Sequence, residues 1–571
     1  MGMIVRFFTG LALGGVCAAM PGAPGLSTWM SLPYGTTSQG QWLRADMDAR
    51  LCSVSTPRTR ILIVLRTDAG VDESTATLWL ERLWEQSGLW QRLFSELVFG
   101  IVPFPVSGAQ VSATSFPPSG RAYADAAARE AHALWRWIGV TGPDLVVEVV
   151  PAHTRAWIVP PATLEKLDFL RRETRLPEER SDSLAYALGR ERVAGVGTVP
   201  AVVLRAESEH ALEPLWEQLQ RTPLRSPARE ELARRERRSP LEVSEVLAGV
   251  YGQRFDEVSY IPALALIGRL RLGDLKQDAA SGRAVRLLLE PYLSGQKPAL
   301  PARSNGSQQS GHLIFGEMAG RDPDPRWEGF VRAVADLGFE EDGRLREAMP
   351  AHAEMSDAVF LGSARFALSA RLSGETKYRE MAMRHLRFMV KLNQRPDGLH
   401  RHSPVAPDQT AWGRGNGFVA LGLALTLSEL PEASAEFREV RELYRRHLTA
   451  MRRHQDKLGM WHQVVDHPES YSEFSVTCMM TFAMARGLRK GWIDRAEFEP
   501  AIQAAWPAIN RRIASDGGVI DVCAGTGKMK SLQEYLDRPA ILGHDDRGGA
   551  MALLLSAELA FAINEGVLAL E

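Results

Sequence analysis

Residues 378–392, Tyr-Arg-Glu-Met-Ala-Met-Arg-His-Leu-Arg-Phe-Met-Val-Lys-Leu, place Met381, His385, Phe388, Met389 and Leu392 at i, i+4, i+7, i+8 and i+11. That spacing runs one apolar stripe down a helix. The surrounding chain repeats it: residues 356–373, 417–430, 435–453, 475–489, 495–514 and 550–564 read as further helices, joined by loops rich in Gly, Pro and Asp. The rare residues gather in those loops. Helix hairpins closed into a ring put such loops on one end, around a common pocket. An open helical solenoid, the alternative, shows a clearer fixed repeat than this sequence carries. The stretch 293–311, with Pro298, Pro301, Asn305, Gly306 and Ser307, reads as a long exposed loop.

Upstream of about residue 220 the texture changes. Residues 60–65, 97–102 and 145–150 are short β-rich runs bounded by breakers, with helical stretches at 74–89 and 122–138 between them. Strands alternating with helices predict an α/β domain whose sheet is mostly parallel and covered on both faces. Residues 221–240, charged and punctuated by Pro223, Pro227 and Pro240, read as a linker or a solvated helix. The chain is thus multidomain: α/β over 26–220, a linker over 221–240, and an all-α domain over 241–571.

A length of 571 residues, 45% hydrophobic and 24% charged, exceeds what one core organises and fits a globular class. The formal charge of −2 supplies no broad field for nucleic acid or an anionic membrane. Residues 1–25 carry Arg6, a short apolar core and small residues around Ala18, Ala19 and Ala23, the pattern of a secretory signal too short to span a bilayer. Export, to the periplasm or the medium, is the expectation; an apolar N-terminal strand or helix of a cytosolic protein is the alternative. Beyond that segment only Cys52, Cys478 and Cys523 remain, too few and scattered for a disulfide framework or structural zinc, so buried thiols are expected.

The densest chemical signal is Ala411-Trp412-Gly413-Arg414-Gly415-Asn416-Gly417-Phe418, followed by the apolar run 419–427. A glycine-rich loop opening into a helix suits a polar ligand held against exposed backbone.

It is one of a series. Ser356-Asp357-Ala358-Val359-Phe360-Leu361, Gly398-Leu399-His400-Arg401-His402, Trp412-Gly413-Arg414-Gly415-Asn416-Gly417, Met460-Trp461-His462-Gln463-Val464, Tyr471-Ser472-Glu473-Phe474-Ser475, Val522-Cys523-Ala524-Gly525-Thr526 and Tyr535-Leu536-Asp537-Arg538-Pro539 follow in that order. Together they resemble glycoside hydrolase family 105, the unsaturated rhamnogalacturonyl hydrolases and their relatives. The resemblance implies an (α/α)6 barrel and, without a cofactor, removal of a 4,5-unsaturated uronic acid from the non-reducing end of an oligosaccharide left by a polysaccharide lyase. In that family's chemistry an aspartic acid protonates C4 of the vinyl ether, water adds at C5, and the resulting hemiketal falls apart with the glycosidic bond. Asp357 matches the acid. Met355, Val359 and Phe360 can desolvate it and raise its pKa, while a helix N-terminus acts the other way. An ordinary N-cap aspartate is the alternative. His402 matches a histidine that orients the carboxyl group or the water.

The resemblance also implies a sugar site in which Arg414 pairs with the uronate, Trp412 lies against a pyranose ring and Asn416 meets hydroxyls. A guanidinium buried in a structural network is the other reading of Arg414. Trp461, His462 and Gln463 form a second sugar-facing group and Tyr471 with Glu473 a third, Glu473 being better suited to a helix cap. Asp545, Asp546 and Arg547 either close the site or stay solvated. No His/Asp cluster recurs at ligand spacing, so no metal is expected. Relatives often carry a second pocket aspartate; residues 311–317 have none, and His312 stands as its replacement. Substrate choice stays open between unsaturated galacturonyl products of rhamnogalacturonan and unsaturated glucuronyl fragments of ulvan or glycosaminoglycans. A non-catalytic carbohydrate-binding protein is the rival of another class.

The first half resembles zinc carboxypeptidase-like α/β domains through Asp68-Ala69-Gly70-Val71-Asp72-Glu73-Ser74, Phe116-Pro117-Pro118, Glu130-Ala131-His132 and Pro143-Asp144-Leu145-Val146-Val147-Glu148. Gly70 stands where a histidine ligand is needed and Val149 and Val150 follow Glu148, so a degenerate, non-catalytic domain is implied.

Overall fold

The computed structural model describes residues 29–570 apart from Gln39 and residues 67–72, 105–114, 124–127 and 178–179. The signal expected over 1–25 and residues 68–72 of the carboxypeptidase-like pattern lie outside the described residues. Among the described residues no helix is long and apolar enough to cross a membrane.

The N-terminal half is built on seven strands: β1 Trp29–Thr36, β2 Trp42–Asp48, β3 Thr59–Arg66, β4 Leu97–Phe104, β5 Leu145–Pro151, β6 Ala156–Ile158 and β7 Ala201–Ala206. Their order is β1-β2-β4-β3-β5-β7-β6. The central strands β4, β3, β5 and β7 run parallel, while β1, β2 and β6 add antiparallel pairings at the edges. The expectation of a mostly parallel sheet is corrected there: β1 and β2 are joined by a turn too short for the crossover a parallel pair needs. Both faces are covered. On β3, Ile61, Ile63 and Leu65 join Trp79, Leu83, Trp90 and Trp216 in one apolar cluster, while Leu62 and Val64 join Leu134, Trp137, Leu188 and Leu232 in another. A strand buried on both faces reads as a continuous apolar run, which is why its sequence was legible.

The helix expected over 122–138 runs Arg129–Thr141 instead, and Ala122 makes an isolated bridge with Ala540. The stretch 221–240 is not a free linker. Residues Pro227–Glu236 form a helix capped by Ser226, in which Arg229 pairs with buried Asp144 and Arg235 donates to the Arg511 carbonyl across the two halves (2.7 Å). Those cations are drawn inward because backbone carbonyls and a carboxylate wait for them.

Downstream, the helices Tyr260–Leu275, Leu313–Ala319, Ala364–Ser373, Gly413–Glu429, Phe474–Arg489 and Asp546–Asn564 each touch the next, and the last returns to the first. Each is backed from outside, in the same order, by Ala279–Leu293, Arg326–Asp336, Thr376–Asn393, Ala435–Arg452, Arg495–Arg511 and Pro240–Ala248. The ring is closed. Its inner helices begin at one end, where the rings of Tyr260, Phe360 and Phe418 meet at centroid separations of 5.8, 5.5 and 5.3 Å. The exposed loop expected over 293–311 contains a short helix, Gly306–Ser310, capped reciprocally by Asn305 and Gln308 with Gln309 and Ser310 buried. Cys478 and Cys523 are buried free thiols, whereas Cys52 is half-buried.

The hairpin of β8 Val519–Cys523 and β9 Ala540–Gly543 rises from the starting end of the ring and meets the N-terminal half. Ala540 N donates to Ala122 O (2.9 Å), Tyr123 stacks on Tyr471 at 4.9 Å, and buried Asp521 takes Arg136 at 3.4 Å and Arg512 at 3.0 Å. Ala122 and Tyr123 share an apolar cluster with Trp412, Tyr471 and Tyr535.

Candidate active site

Asp357 sits where the chain turns into the third inner helix. Its carbonyl accepts the Phe360 and Leu361 N–H groups, and the next residues, Val359–Ser363, wind as one π-helical turn before the α-helix resumes. Such turns expose a residue at a helix start that a regular turn would hide. His385 seats this one: Nε2 lies 2.8 Å from Ala358 O, and Gly362 leaves no room for a Cβ beside the imidazole. The Asp357 side chain is 5% exposed, with Oδ1 3.0 Å from His352 Nε2. Burial pulls the His352 pKa down, but the hydrogen bond and charge of Asp357 outweigh it and hold the imidazole above its ordinary value. The imidazole therefore keeps its proton further into the alkaline range than a free histidine would.

Ser356 N donates to His402 O (2.8 Å), which brings the 400s loop against the acid. His402 is fully buried, with Nδ1 2.7 Å from the Tyr535 hydroxyl and Nε2 without a partner. Burial pulls its pKa down to about 3, so the ring is neutral at pH 7. Which of the two donates in that bond follows the imidazole tautomer. Asp357, Arg538, His352 and Arg414 are the charged groups around this ring.

Trp412 does not offer the open platform expected of it. The indole is fully buried, its ring 4.5 Å from His402 and 5.1 and 5.2 Å from the guanidinium carbons of Arg414 and Arg538. Arg414 is likewise spent on protein: Nη1 donates to Cys523 O (2.8 Å) and Nη2 to Gly525 O, pinning the segment after β8 over the site. The structural-network reading describes it. Asn416 accepts His400 N and donates to His400 O and Trp412 O, all at 2.8–3.0 Å, leaving nothing for a sugar hydroxyl. The glycines, expected to expose backbone, allow close packing instead: a Cβ on Gly415 would stand 2.6 Å from Ser356 Oγ, and one on Gly413 would strike the His462 carbonyl.

The group 461–463 backs this turn. Gly413 N donates to Gln463 O (2.8 Å) and Trp412 bridges Val464. Trp461 is a core residue whose Nε1 donates to Met451 O (2.7 Å). His462 is held between Ser470 O (2.6 Å) and Asp456 (3.2 Å), and Gln463 Nε2 reaches Tyr535 O (3.1 Å). Tyr471 stacks on Tyr123 rather than facing open space. His312 packs edge-on against Phe315, with Nδ1 3.2 Å from Gln308 O, and burial pulls its pKa down to about 4. None of those contacts is to Asp357 or His402. Glu473 caps its helix through Val476 N (2.7 Å), as its sequence position suggested. Asp545 caps the last inner helix through Gly548 N (2.7 Å), and Arg547 Nε reaches Tyr260 Oη (3.3 Å).

Of the expected residues, then, Asp357, His402, Trp412 and Arg414 come together, and His352, Tyr535 and Arg538 complete the group. His352 was within reach of a reading that looked five residues upstream of the acid. Tyr535 and Arg538 stood inside a quoted motif without a role. Buried polar atoms without a partner gather here: Ser356 Oγ, His402 Nε2, Trp412 Nε1, and Nε and Nη1 of Arg538. Buried donors and acceptors are normally satisfied, so such a gathering singles out this place as the candidate site. Over the mouth, Lys528 pairs with Glu354, and both are exposed. Among the described residues, no three His, Cys, Asp or Glu side chains are grouped as a metal site requires.

Residues 292–562 match the family model described as Glycosyl Hydrolase Family 88. The chain is 30% identical over 181 residues to an unsaturated 3S-rhamnoglycuronyl hydrolase of Formosa agariphila, covering 28% of this chain and 48% of the relative. It is 32% identical over 128 residues to an unsaturated rhamnogalacturonyl hydrolase of Bacillus subtilis, covering 22% and 35%. The chain thus spans about half, or less, of the length of these curated relatives. A solved polysaccharide lyase superposes on 58% of this chain and 99% of its own with a TM-score of 0.50 at 16% identity, a likeness of fold alone. Residues 292–562 of this chain thus resemble Glycosyl Hydrolase Family 88.

Proposed function

We propose that the helical ring, read as an (α/α)6 barrel, is a glycosidase that removes a 4,5-unsaturated uronic acid from the non-reducing end of a lyase-derived oligosaccharide. The curated relatives named for unsaturated rhamnoglycuronyl and rhamnogalacturonyl substrates favour products of rhamnogalacturonan or a related polysaccharide. The observation that carries the reading is the 3.0 Å contact between Asp357 and His352 in a nearly closed site ringed by unpartnered polar atoms. A vinyl ether needs one proton at C4 and one water at C5. Asp357 delivers the proton, and the oxocarbenium ion that forms at C5 and the ring oxygen takes the water, whose spare proton returns to the carboxylate. The C5 hemiketal opens to a ketone, leaving a hemiacetal at C1 that expels the rest of the oligosaccharide as an alcohol. His402, neutral and hydrogen-bonded to Tyr535, directs the carboxyl group or the water.

The test is ultraviolet absorbance of the conjugated uronate, followed on lyase products of pectin, ulvan and glycosaminoglycans with wild type and Asp357→Asn. Loss of absorbance with wild type alone names the substrate and the acid. Equal loss with the variant removes Asp357 from the mechanism. No loss on any of them from folded protein leaves a carbohydrate-binding module.

A further inference from the structure

Two arginines approach the Trp412 ring, and they are not equivalent. Arg414 donates to Cys523 O and Gly525 O and lies within the field of the Glu473 carboxylate, so both ends of its fork are engaged by protein and Nε alone is left over. Arg538 is 2% exposed, yet only Nη2 has a partner, Gly527 O, while Nε and Nη1 have none. No carboxylate among the described residues lies within ion-pair reach of it. A guanidinium cannot shed its proton, so burying one without an anion leaves an uncompensated charge. Arg60 and Arg365 are also buried with idle nitrogens. Arg60, however, has Asp144 nearby, and Arg365 lies over Phe366 with Nη1 on Val334 O of an outer helix, away from Asp357. Arg538 instead lies 5.2 Å over the Trp412 ring, and it and Asp357 both act on the buried His402 ring.

We infer that Arg538 is the anion anchor of this site, its free guanidinium edge taking the C5 carboxylate of the unsaturated uronate while Asp357 faces C4. The assignment rests on the uronyl hydrolase reading above. Its neighbours are gripped by the N-terminal half, which gives that half a part in the site: Arg129 pairs with Asp537 at 3.0 Å, and Ala122 bridges Ala540. An anchor fixed on both sides holds the carboxylate in one register, and the register decides which ring carbon the acid meets.

The experiment compares wild type, Arg538→Gln and Arg538→Lys on one unsaturated oligosaccharide, as the free acid and as the methyl ester of its terminal uronate. Binding of glucuronate to the same three proteins is followed by calorimetry. Wild type is expected to prefer the acid about 10- to 100-fold in kcat/KM, Arg538→Gln to lose that preference with little change on the ester, and Arg538→Lys to regain part of it. Equal loss on acid and ester means Arg538 only supports the Gly527 loop, and an undiminished preference means another group holds the carboxylate; either overturns the anchor while the hydrolase reading stands. If wild type turns over neither substrate, the hydrolase reading falls, and glucuronate binding that disappears in Arg538→Gln still supports the anchor. Binding that is absent or unchanged in the variant overturns it.

Discussion

The two ends of the helical ring both bury arginines, and they treat them in opposite ways. Where the inner helices finish, Arg486 and Arg489 meet Glu558 at 2.5 and 2.9 Å, Arg271 reaches Glu558 and Glu317 at 3.6 and 3.8 Å, and Arg371 pairs with Glu429. Burial alone would raise the Glu558 pKa, but Arg486, Arg271 and Arg489 hold it down to about 2. Where the inner helices begin, Arg414 and Arg538 find backbone carbonyls, Glu473 and Asp545 cap helices, and Asp357 is turned to a histidine. Paired charge is a finished structure, whereas unpaired charge waits for a ligand. One end holds the ring together, and the other, left incomplete, carries the candidate site.

Substitutions at each end should therefore separate activity from stability. Asp357→Asn is expected to lower kcat about 10²- to 10⁴-fold with the denaturant midpoint nearly unchanged; a large loss of stability would place Asp357 among the structural charges. Glu558→Gln should do the reverse, costing about 3–5 kcal/mol in denaturant unfolding because three cations lose their anion, with KM unaltered in the folded fraction. The Glu558 contribution is of the depressed-pKa kind. It is fully present above the ordinary glutamate value of 4.5 and is lost as pH falls towards about 2, so the variant should lack that acid limb of the stability curve.

His352 gives the opposite sign at the other end. Its pKa is raised, so the stability it contributes is complete below the ordinary value of 6.5 and fades as pH rises through the folded value. The kcat/KM profile should fall on the alkaline side as the pair loses its proton, and His352→Gln should move that fall to lower pH by removing the partner that retains it. An unmoved limb would take His352 out of the proton inventory. The smallest effect belongs to Lys528→Ala: the exposed pair with Glu354 is worth about 0.2–1 kcal/mol, so added salt and the substitution should change KM by less than about fivefold and in the same direction.

Much of the ring was legible because helical periodicity is a local property. The 378–392 stripe appears as the helix Thr376–Asn393, with Met381, His385 and Met389 buried. The glycines of the Gly-rich motif serve packing rather than exposed backbone, since the neighbours that demand small residues, Ser356 and the His462 carbonyl, come from other loops. Trp461 and Asn416 show the same limit. An indole and an amide in a loop look like sugar contacts until the Met451 carbonyl and the His400 backbone are seen to occupy them. In the N-terminal half the buried strands were readable and the edge strands were not, because edges are chosen by pairing partners rather than by hydrophobic runs.

By itself the amino-acid order pointed to the two architectures, the helical spans and the candidate acid, for each follows from periodicity or from a short contiguous motif. Only the tertiary structure decided which cations are spent and which are free. It brought His352 to Asp357, gave Arg414 to two carbonyls, left Arg538 without an anion, and closed the N-terminal half against the site through Tyr123 and Arg129. Whether a charge is satisfied depends on partners hundreds of residues away in sequence and a few ångströms away in space, and only the folded chain sets that distance.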